Sequence, residues 1–254
     1  MEVKVLGCSG GIGGDRRTTS MLVDQDILID AGTGVGDLSL EELAKIDHIF
    51  VTHSHLDHVC CIPLLLDSVM GIRNAPVTVH ATAETWQALK DHIFNWKIWP
   101  DFTVIPSPES PILNFEPIEV GQTTTLSGRK FTALPANHVV PTIGILVDSG
   151  RASLAFTSDT TSCDALWESL NKVENLKHLI IETAFCDADI DVARASKHLS
   201  PKLLEAELRK LTGSPEVCIT HLKPGSEASI LEQVNNFSPR REITQLTPAR
   251  IYRL

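Results

Sequence analysis

The sequence predicts an α+β protein in which two sheets pack face to face with helices outside, as one domain spanning residues 1–254. Three observations carry that expectation. Short apolar runs recur from end to end, broken by Gly, Pro and Asp; strands outnumber helices early; helices follow strands in both halves. Hydrophobic residues make up 43% of the chain, enough for a sizeable core. No stretch reaches the roughly 18 uninterrupted apolar residues that a membrane span needs.

The elements follow in order. Glu2-Val3-Lys4-Val5 alternates as a half-buried strand does, which places a strand at 3–6. Apolar, β-branched runs predict further strands at 20–23, 27–29, 48–52, 77–80 and 130–135. A second set falls at 142–147, 153–157, 178–182 and 216–220. Ser39-Leu40-Glu41-Glu42 is a capping box that opens a helix running to Ala44. A helix containing Leu64, Leu65, Leu66 and Val69 follows the fourth strand, and another runs from Thr82 to His92 with Leu89 and Ile93 on its apolar side. Ser200-Pro201 supplies an N-cap and an N1 proline for a helix to Leu211, stopped by Gly213; Ser226 precedes a last helix through Val234.

Composition narrows the function classes. The N-terminus enters a strand directly, with no basic n-region or apolar h-region, so the expectation is a cytoplasmic protein without membrane attachment. A formal charge of −10 argues against a nucleic-acid polymer as partner, which needs clustered Lys and Arg. It does not exclude a small phosphate ester, since bound divalent ions reverse the local sign. Six cysteines (Cys8, Cys60, Cys61, Cys163, Cys186, Cys218) show no Cys-x-x-Cys spacing and read as reduced, packed residues.

The densest signal is Val51-Thr52-His53-Ser54-His55-Leu56-Asp57-His58, four metal-liking side chains within six positions. His53 and His55 are two apart, so on extended backbone they project from one side. Asp57 and His58 follow where the strand gives way to a helix. Imidazoles with a carboxylate suit zinc, manganese or iron. Three further candidates sit just past apolar strands: His138 after 130–135, Asp159 after 153–157 and His221 after 216–220. That shared placement is what several strands aiming their ends at one site would produce.

His53-x-His55-x-Asp57-His58, followed by a His, an Asp and a last His after strands, resembles the metallo-β-lactamase superfamily over nearly the whole chain. The resemblance implies a four-layer αββα sandwich with two divalent metal ions at the sheet ends. It implies that His53, His55 and His138 hold one ion, that Asp57, His58 and His221 hold the other, and that Asp159 bridges them. Asp30 matches an early aspartate that supports the ligands. Flavodiiron oxidoreductases place Glu where this chain has His55, and β-lactamases lack the bridging aspartate. Ile181-Glu182-Thr183 and Ser196-Lys197-His198-Leu199-Ser200 are similar to the paired Glu and His of the superfamily's phosphodiesterases, in which the Glu orients a His beside the leaving oxygen. A tRNase Z would need a long RNA-grasping arm between His138 and Asp159, where there is room only for a turn and two strands.

Within the superfamily, His53-Ser54-His55-Leu56-Asp57-His58-Val59, Ser196-Lys197-His198-Leu199-Ser200-Pro201 and Thr220-His221-Leu222-Lys223-Pro224 resemble class II cyclic-nucleotide phosphodiesterases, with Cys61 departing from a position usually held by a small residue. The function so implied is hydrolysis of a 3′,5′-cyclic nucleotide, cAMP or cGMP, to the 5′-monophosphate, with His198, Glu182 and Asp159 as catalytic groups. The alternative is another small ester: a 2′,3′-cyclic phosphate, an aryl sulfate or a thioester. Two features stay open. In the glycine-rich loop 7–14 and its flank, Arg17 reads either as a phosphate neighbour or as a solvated arginine, and Lys223 beside His221 is equally balanced. Trp86, Phe94, Trp96 and Trp99 read as packed aromatics, as a lid stacking a purine, or as a contact in a homodimer.

Overall fold

The computed structural model describes residues 1–237 and 242–254. The chain opens with β1 (Glu2–Gly7), β2 (Ser20–Val23) and β3 (Ile27–Ile29), passes through α1 (Leu40–Leu43) and returns as β4 (His48–Phe50). Helices α2 (Leu56–Val59) and α3 (Cys61–Val69) lead to β5 (Val77–Ala81) and α4 (Ala83–His92). A small ribbon of β6 (Pro106–Ser107) and β7 (Ser110–Pro111) precedes β8 (Leu113–Pro117). The second half begins with β9 (Thr123–Leu126), β10 (Arg129–Pro135), β11 (Ile143–Asp148) and β12 (Ser153–Phe156). There follow α5 (Asp164–Leu170), β13 (Leu176–Glu182), α6 (Ile190–Ala195), α7 (Pro201–Leu208), β14 (Glu216–Thr220), α8 (Glu227–Val234), β15 (Ile243–Gln245) and β16 (Ile251–Arg253).

The strands form two seven-stranded mixed sheets, ordered β16-β1-β2-β3-β4-β5-β8 and β15-β14-β13-β12-β11-β10-β9. β3, β4, β5 and β8 run parallel, as do β12, β13, β14 and β15. β10 reaches β12 through two antiparallel pairings and so shares its direction. The C-terminal ends of the strands that precede His53, His138, Asp159 and His221 therefore point the same way within each sheet.

Alternation along the strands divides the apolar residues into three layers. Val3, Val5, Ile27, Ile29 and Phe50 of the first sheet meet Phe131, Ile145, Leu154, Phe156 and Ile180 of the second, with the Phe50 and Phe131 rings stacked at 4.5 Å. Leu28 and Ile49, one residue out of phase, face the other way and bury Ile62, Leu65, Leu66 and Val69 of α3. Leu179, Ile181 and Val217 likewise receive Trp167 of α5 and Leu204 and Leu208 of α7. The result is helix, sheet, sheet, helix. Each large apolar side chain buried contributes about 1.5–3 kcal/mol, which is why period-two patterning fixes the register.

The predicted strands all form, most within a residue or two of the expected ends. The Ser39 capping box is present: its Oγ accepts from Glu42 N, and Glu42 accepts from Ser39 N at 2.8 Å. The helix expected to run to Leu211 ends at Leu208. All six cysteines are unpaired. Three of the four clustered aromatics pack inward. Trp86 stacks on Phe115 at 4.6 Å, Phe94 is buried beside Phe102, and Trp99 lies half-buried, leaving only Trp96 exposed. No helix among the described residues is long and apolar enough to cross a membrane.

Candidate metal and catalytic site

The ends of six strands deliver the site. β3 leads to Asp30, β4 to Thr52, His53 and His55, β10 to His138, β12 to Asp159, β13 ends on Glu182, and β14 leads to His221. Cross-sheet bonds close the gap at this end. Ile143 N donates to Thr52 O at 3.0 Å, and His221 N donates to Cys8 O at 2.9 Å. The backbone there is bent to aim side chains inward. Asp30, Ser158, Lys197 and His221 are four of the eight non-glycine residues with positive φ among those described. Such conformations persist where surrounding structure holds them, and they concentrate at functional sites.

Asp159, buried, is the centre. Its Oδ2 faces His53 Nε2 at 3.7 Å and His138 Nε2 at 3.9 Å; its Oδ1 faces His58 Nε2 at 3.5 Å and His221 Nδ1 at 3.3 Å. Each carboxylate oxygen thus addresses a different pair of imidazoles. His55 joins the first set, its Nδ1 3.2 Å from His138 Nε2. Asp57 joins the second, with Oδ2 3.9 Å from His58 Nε2 and 3.8 Å from His221 Nε2. Every one of these seven residues was marked in the sequence, and the fold brings all seven together.

The donor set fits divalent ions on an observation internal to the molecule. His53 Nε2, His58 Nε2 and His221 Nδ1 are buried without a hydrogen-bond partner. An unsatisfied buried polar atom costs roughly 1–3 kcal/mol, so three pointed at one carboxylate need a common explanation. A cation between them supplies it. In His58, His53 and His138 the far side of the ring is held as a ligand's would be. Asp30 Oδ2 lies 2.7 Å from His58 Nδ1, Thr52 Oγ1 lies 3.1 Å from His53 Nδ1, and Lys197 O lies 3.1 Å from His138 Nδ1. Asp30 is itself bonded to Thr52 N and Oγ1.

The electrostatics follow from crowding. Neighbouring ring centroids lie 4.2–5.6 Å apart, so the imidazoles cannot all be charged. Burial holds His53 well below the ordinary histidine range, with His58 adding to the effect; burial also takes His138 down to about 4 and His221 to about 3. These are the neutral, ligand-competent forms. For His58 burial is outweighed by the Asp159 and Asp30 carboxylates, which raise it well above that range. Asp159 is held well below the carboxylate range because the surrounding histidines, His221 first, overcome its burial.

Beside the cluster stands a second pair. His198 Nδ1 lies 2.7 Å from Glu182 Oε1, and its ring lies 4.8 Å from that of His138 and 5.3 Å from that of His221. Glu182 is buried and accepts also from the backbone N–H of Thr160, Ala184 and Leu199. Holding the Nδ1 proton, it leaves His198 Nε2 as the ring nitrogen free to act beside the cluster. Burial raises the Glu182 carboxyl, while at His198 the Glu182 carboxylate overcomes burial and raises the imidazole.

Of the two substrate candidates, Lys223 sits at the cluster, with Nζ 3.4 Å from His221 Nε2 and 2.8 Å from Gly10 O. Arg17 is engaged elsewhere: its guanidinium meets Asp37 at 2.9 Å and the carbonyls of Gly14 and Arg16, and none of these partners is a cluster residue. The glycine-rich loop approaches the site through Gly10, where a Cβ would lie 2.4 Å from His221 O. Sequence reasoning passed over Thr52, Ser158 and Lys197. Each adjoins a marked residue in the chain, and that adjacency was the available signal.

Two sheets between helices, with a His/Asp cluster at their strand ends, define a metallo-hydrolase. The chain belongs to the beta-lactamase superfamily, whose domain model matches residues 25–225. It is similar to a probable 3′,5′-cyclic-nucleotide phosphodiesterase of Yersinia pestis, 27% identical over 275 aligned positions that cover 88% of this chain and 78% of that protein. A ribonuclease Z of Staphylococcus epidermidis is 36% identical over 91 positions, covering 31% of this chain and 30% of that enzyme. The fold matches crystalline yeast PDE1 with a TM-score of 0.79 at 19% identity, across 98% of both chains.

Proposed function

We propose that the protein is a dinuclear-metal phosphodiesterase that hydrolyses 3′,5′-cyclic nucleotides, cAMP foremost, to the 5′-monophosphate. The carrying observation is the division of Asp159, one oxygen to each histidine set, with the Glu182–His198 pair against it. His53, His55 and His138 would hold one ion and Asp57, His58 and His221 the other, with Asp159 shared; zinc is favoured, with manganese or iron as alternatives. Such ions supply Lewis-acid charge that lowers the pKa of water and offsets charge on phosphoryl oxygens.

The remaining chemistry belongs to the chain. Water adds to phosphorus in line as the P–O3′ bond breaks. His198 gives its Nε2 proton to O3′, so the leaving group departs as an alcohol rather than an alkoxide. Glu182 stabilises the charged imidazole before transfer and fixes the ring's direction. Lys223, within reach of His221, favours the anionic phosphate. A small substrate also suits the β11–β12 hairpin that joins His138 to Asp159 directly, and the net charge of −10 disfavours an RNA chain despite the partial ribonuclease Z match. The unpaired cysteines fit a cytoplasmic setting.

The test combines elemental analysis with chromatography of products from cAMP, cGMP, a 2′,3′-cyclic phosphate, an aryl sulfate and a thioester. Two equivalents of transition metal and 5′-monophosphate as product are expected. His138→Ala should lose metal and activity together, whereas His198→Ala should keep its metal and lose roughly 10²–10⁴-fold in kcat. Faster turnover of one of the other esters would replace the cyclic-nucleotide reading.

A further inference from the structure

Helix α6 ends in a Schellman motif: Lys197 N donates to Arg194 O at 3.2 Å and His198 N to Ala193 O at 2.8 Å. The residue between these bonds must be left-handed, a place usually given to glycine because a Cβ is strained there. Here it is Lys197, at φ 53°. A strained lysine where glycine would be easier needs a return, and its contacts show one. Its Nζ lies 3.2 Å from Asn137 Oδ1 and 3.1 Å from His138 O, while its own carbonyl lies 3.1 Å from His138 Nδ1. The next residue along the chain is His198. Asn137 ties the same turn to Asp159's segment, its N donating to Thr160 Oγ1 at 3.0 Å and its carbonyl accepting from Thr161 N at 2.9 Å.

We propose that Lys197 is a positioning residue that clasps the His138 loop at both ends of one residue, fixing the His138 tautomer and holding that ring in register with His198. The carbonyl takes the Nδ1 proton, which leaves Nε2 free toward Asp159; the ammonium fastens the loop carrying the ring. One helix cap therefore sets a candidate ligand and the candidate general acid together. The inference rests on the proposed metal site for its consequence, though the clasp itself stands on geometry alone.

Three variants test it with zinc as probe. Lys197→Met removes the ammonium and keeps the stem; Lys197→Gly removes it while relieving the backbone; Lys197→Arg restores a cation. Chelator competition should show zinc affinity reduced about 10–100-fold in the Met and Gly variants, the range for lost support of a ligand, with partial recovery in Arg. The melting temperature of Lys197→Gly should hold or rise, which a merely structural role would not combine with weaker zinc binding. Unchanged zinc affinity in both Met and Gly variants overturns the proposal. If the wild type takes up no zinc, the metal reading fails separately, and ¹⁵N spectra of the His138 ring decide: exchange between tautomers in the Met and Gly variants supports the clasp, and an unmoved ring overturns it.

Discussion

Glu182 accepts four hydrogen bonds while fully buried, two at each oxygen: Thr160 N and His198 Nδ1 at Oε1, Ala184 N and Leu199 N at Oε2. A carboxylate is the side chain that meets four donors with no donor of its own. Glu182→Gln keeps the shape but turns an NH₂ toward at least one of the backbone N–H groups, Thr160 N in one amide orientation or Ala184 N and Leu199 N in the other. Each stranded donor costs about 1–3 kcal/mol, so the melting temperature should fall by several degrees, and kcat should fall by roughly 100-fold or more as His198 loses its charged partner. Differential scanning calorimetry beside single-turnover kinetics measures both. A variant with native stability and rate would remove Glu182 from both roles. The identity of Glu182 and His198 was readable because they stand in motifs. What Glu182 does for Thr160, and so for the loop of Asp159, was not, because a buried carboxylate's backbone partners depend on chain reversals that no local pattern encodes.

Strand ends do most of the positioning, and close packing of the first loop against β14 finishes it. A Cβ on Gly10 would meet His221 O at 2.4 Å and the His221 ring at 3.0 Å. Gly10→Ala should therefore displace His221 and weaken cation binding by at least about tenfold, read by metal titration. Gly14→Asn is the control: φ there is 58° with open space around it, a conformation Asn tolerates, so affinity should not move. Equal binding by Gly10→Ala would mean the loop does not support the site. The same contrast explains which elements the sequence disclosed. The inner strands, such as Ile27–Ile29 and Ser153–Phe156, are buried throughout and read as apolar runs. The four edge strands Leu113–Pro117, Thr123–Leu126, Ile243–Gln245 and Ile251–Arg253 were missed, since they are short and their polar residues resemble loop. Helix α6 was missed too, being six residues long with little buried apolar surface. The four positive-φ residues at the site lie beyond any propensity argument, because only their hydrogen-bonded surroundings make those angles tolerable.

The stability of the whole sandwich should carry an acid limb that is independent of the His/Asp cluster. His80, on β5, is buried with its ring stacked on Phe50 at 4.5 Å and its Nε2 3.0 Å from His48 Nδ1. Phe50 in turn stacks on Phe131 across the sheet interface, so this ring belongs to the column joining the two sheets. Burial, with His48 adding to it, depresses the His80 imidazole to about 4. The unfolded chain takes up that proton near 6.5, so between pH 6.5 and about 4 the unfolded state binds more protons than the folded one. The contribution is complete above pH 6.5 and is lost as pH falls through that window, amounting to as much as about 3 kcal/mol at 1.36 kcal/mol per unit. His80→Phe keeps an aromatic ring in the stack and removes the titrating group. Urea unfolding of both proteins from pH 7.5 to 4.5 should show wild type losing more stability than the variant, with the gap opening below pH 6.5. Protonation of the histidine cluster at acid pH acts on both proteins alike and cancels in that difference. Parallel curves would assign the acid sensitivity to the His/Asp cluster and leave His80 as an ordinary packed ring.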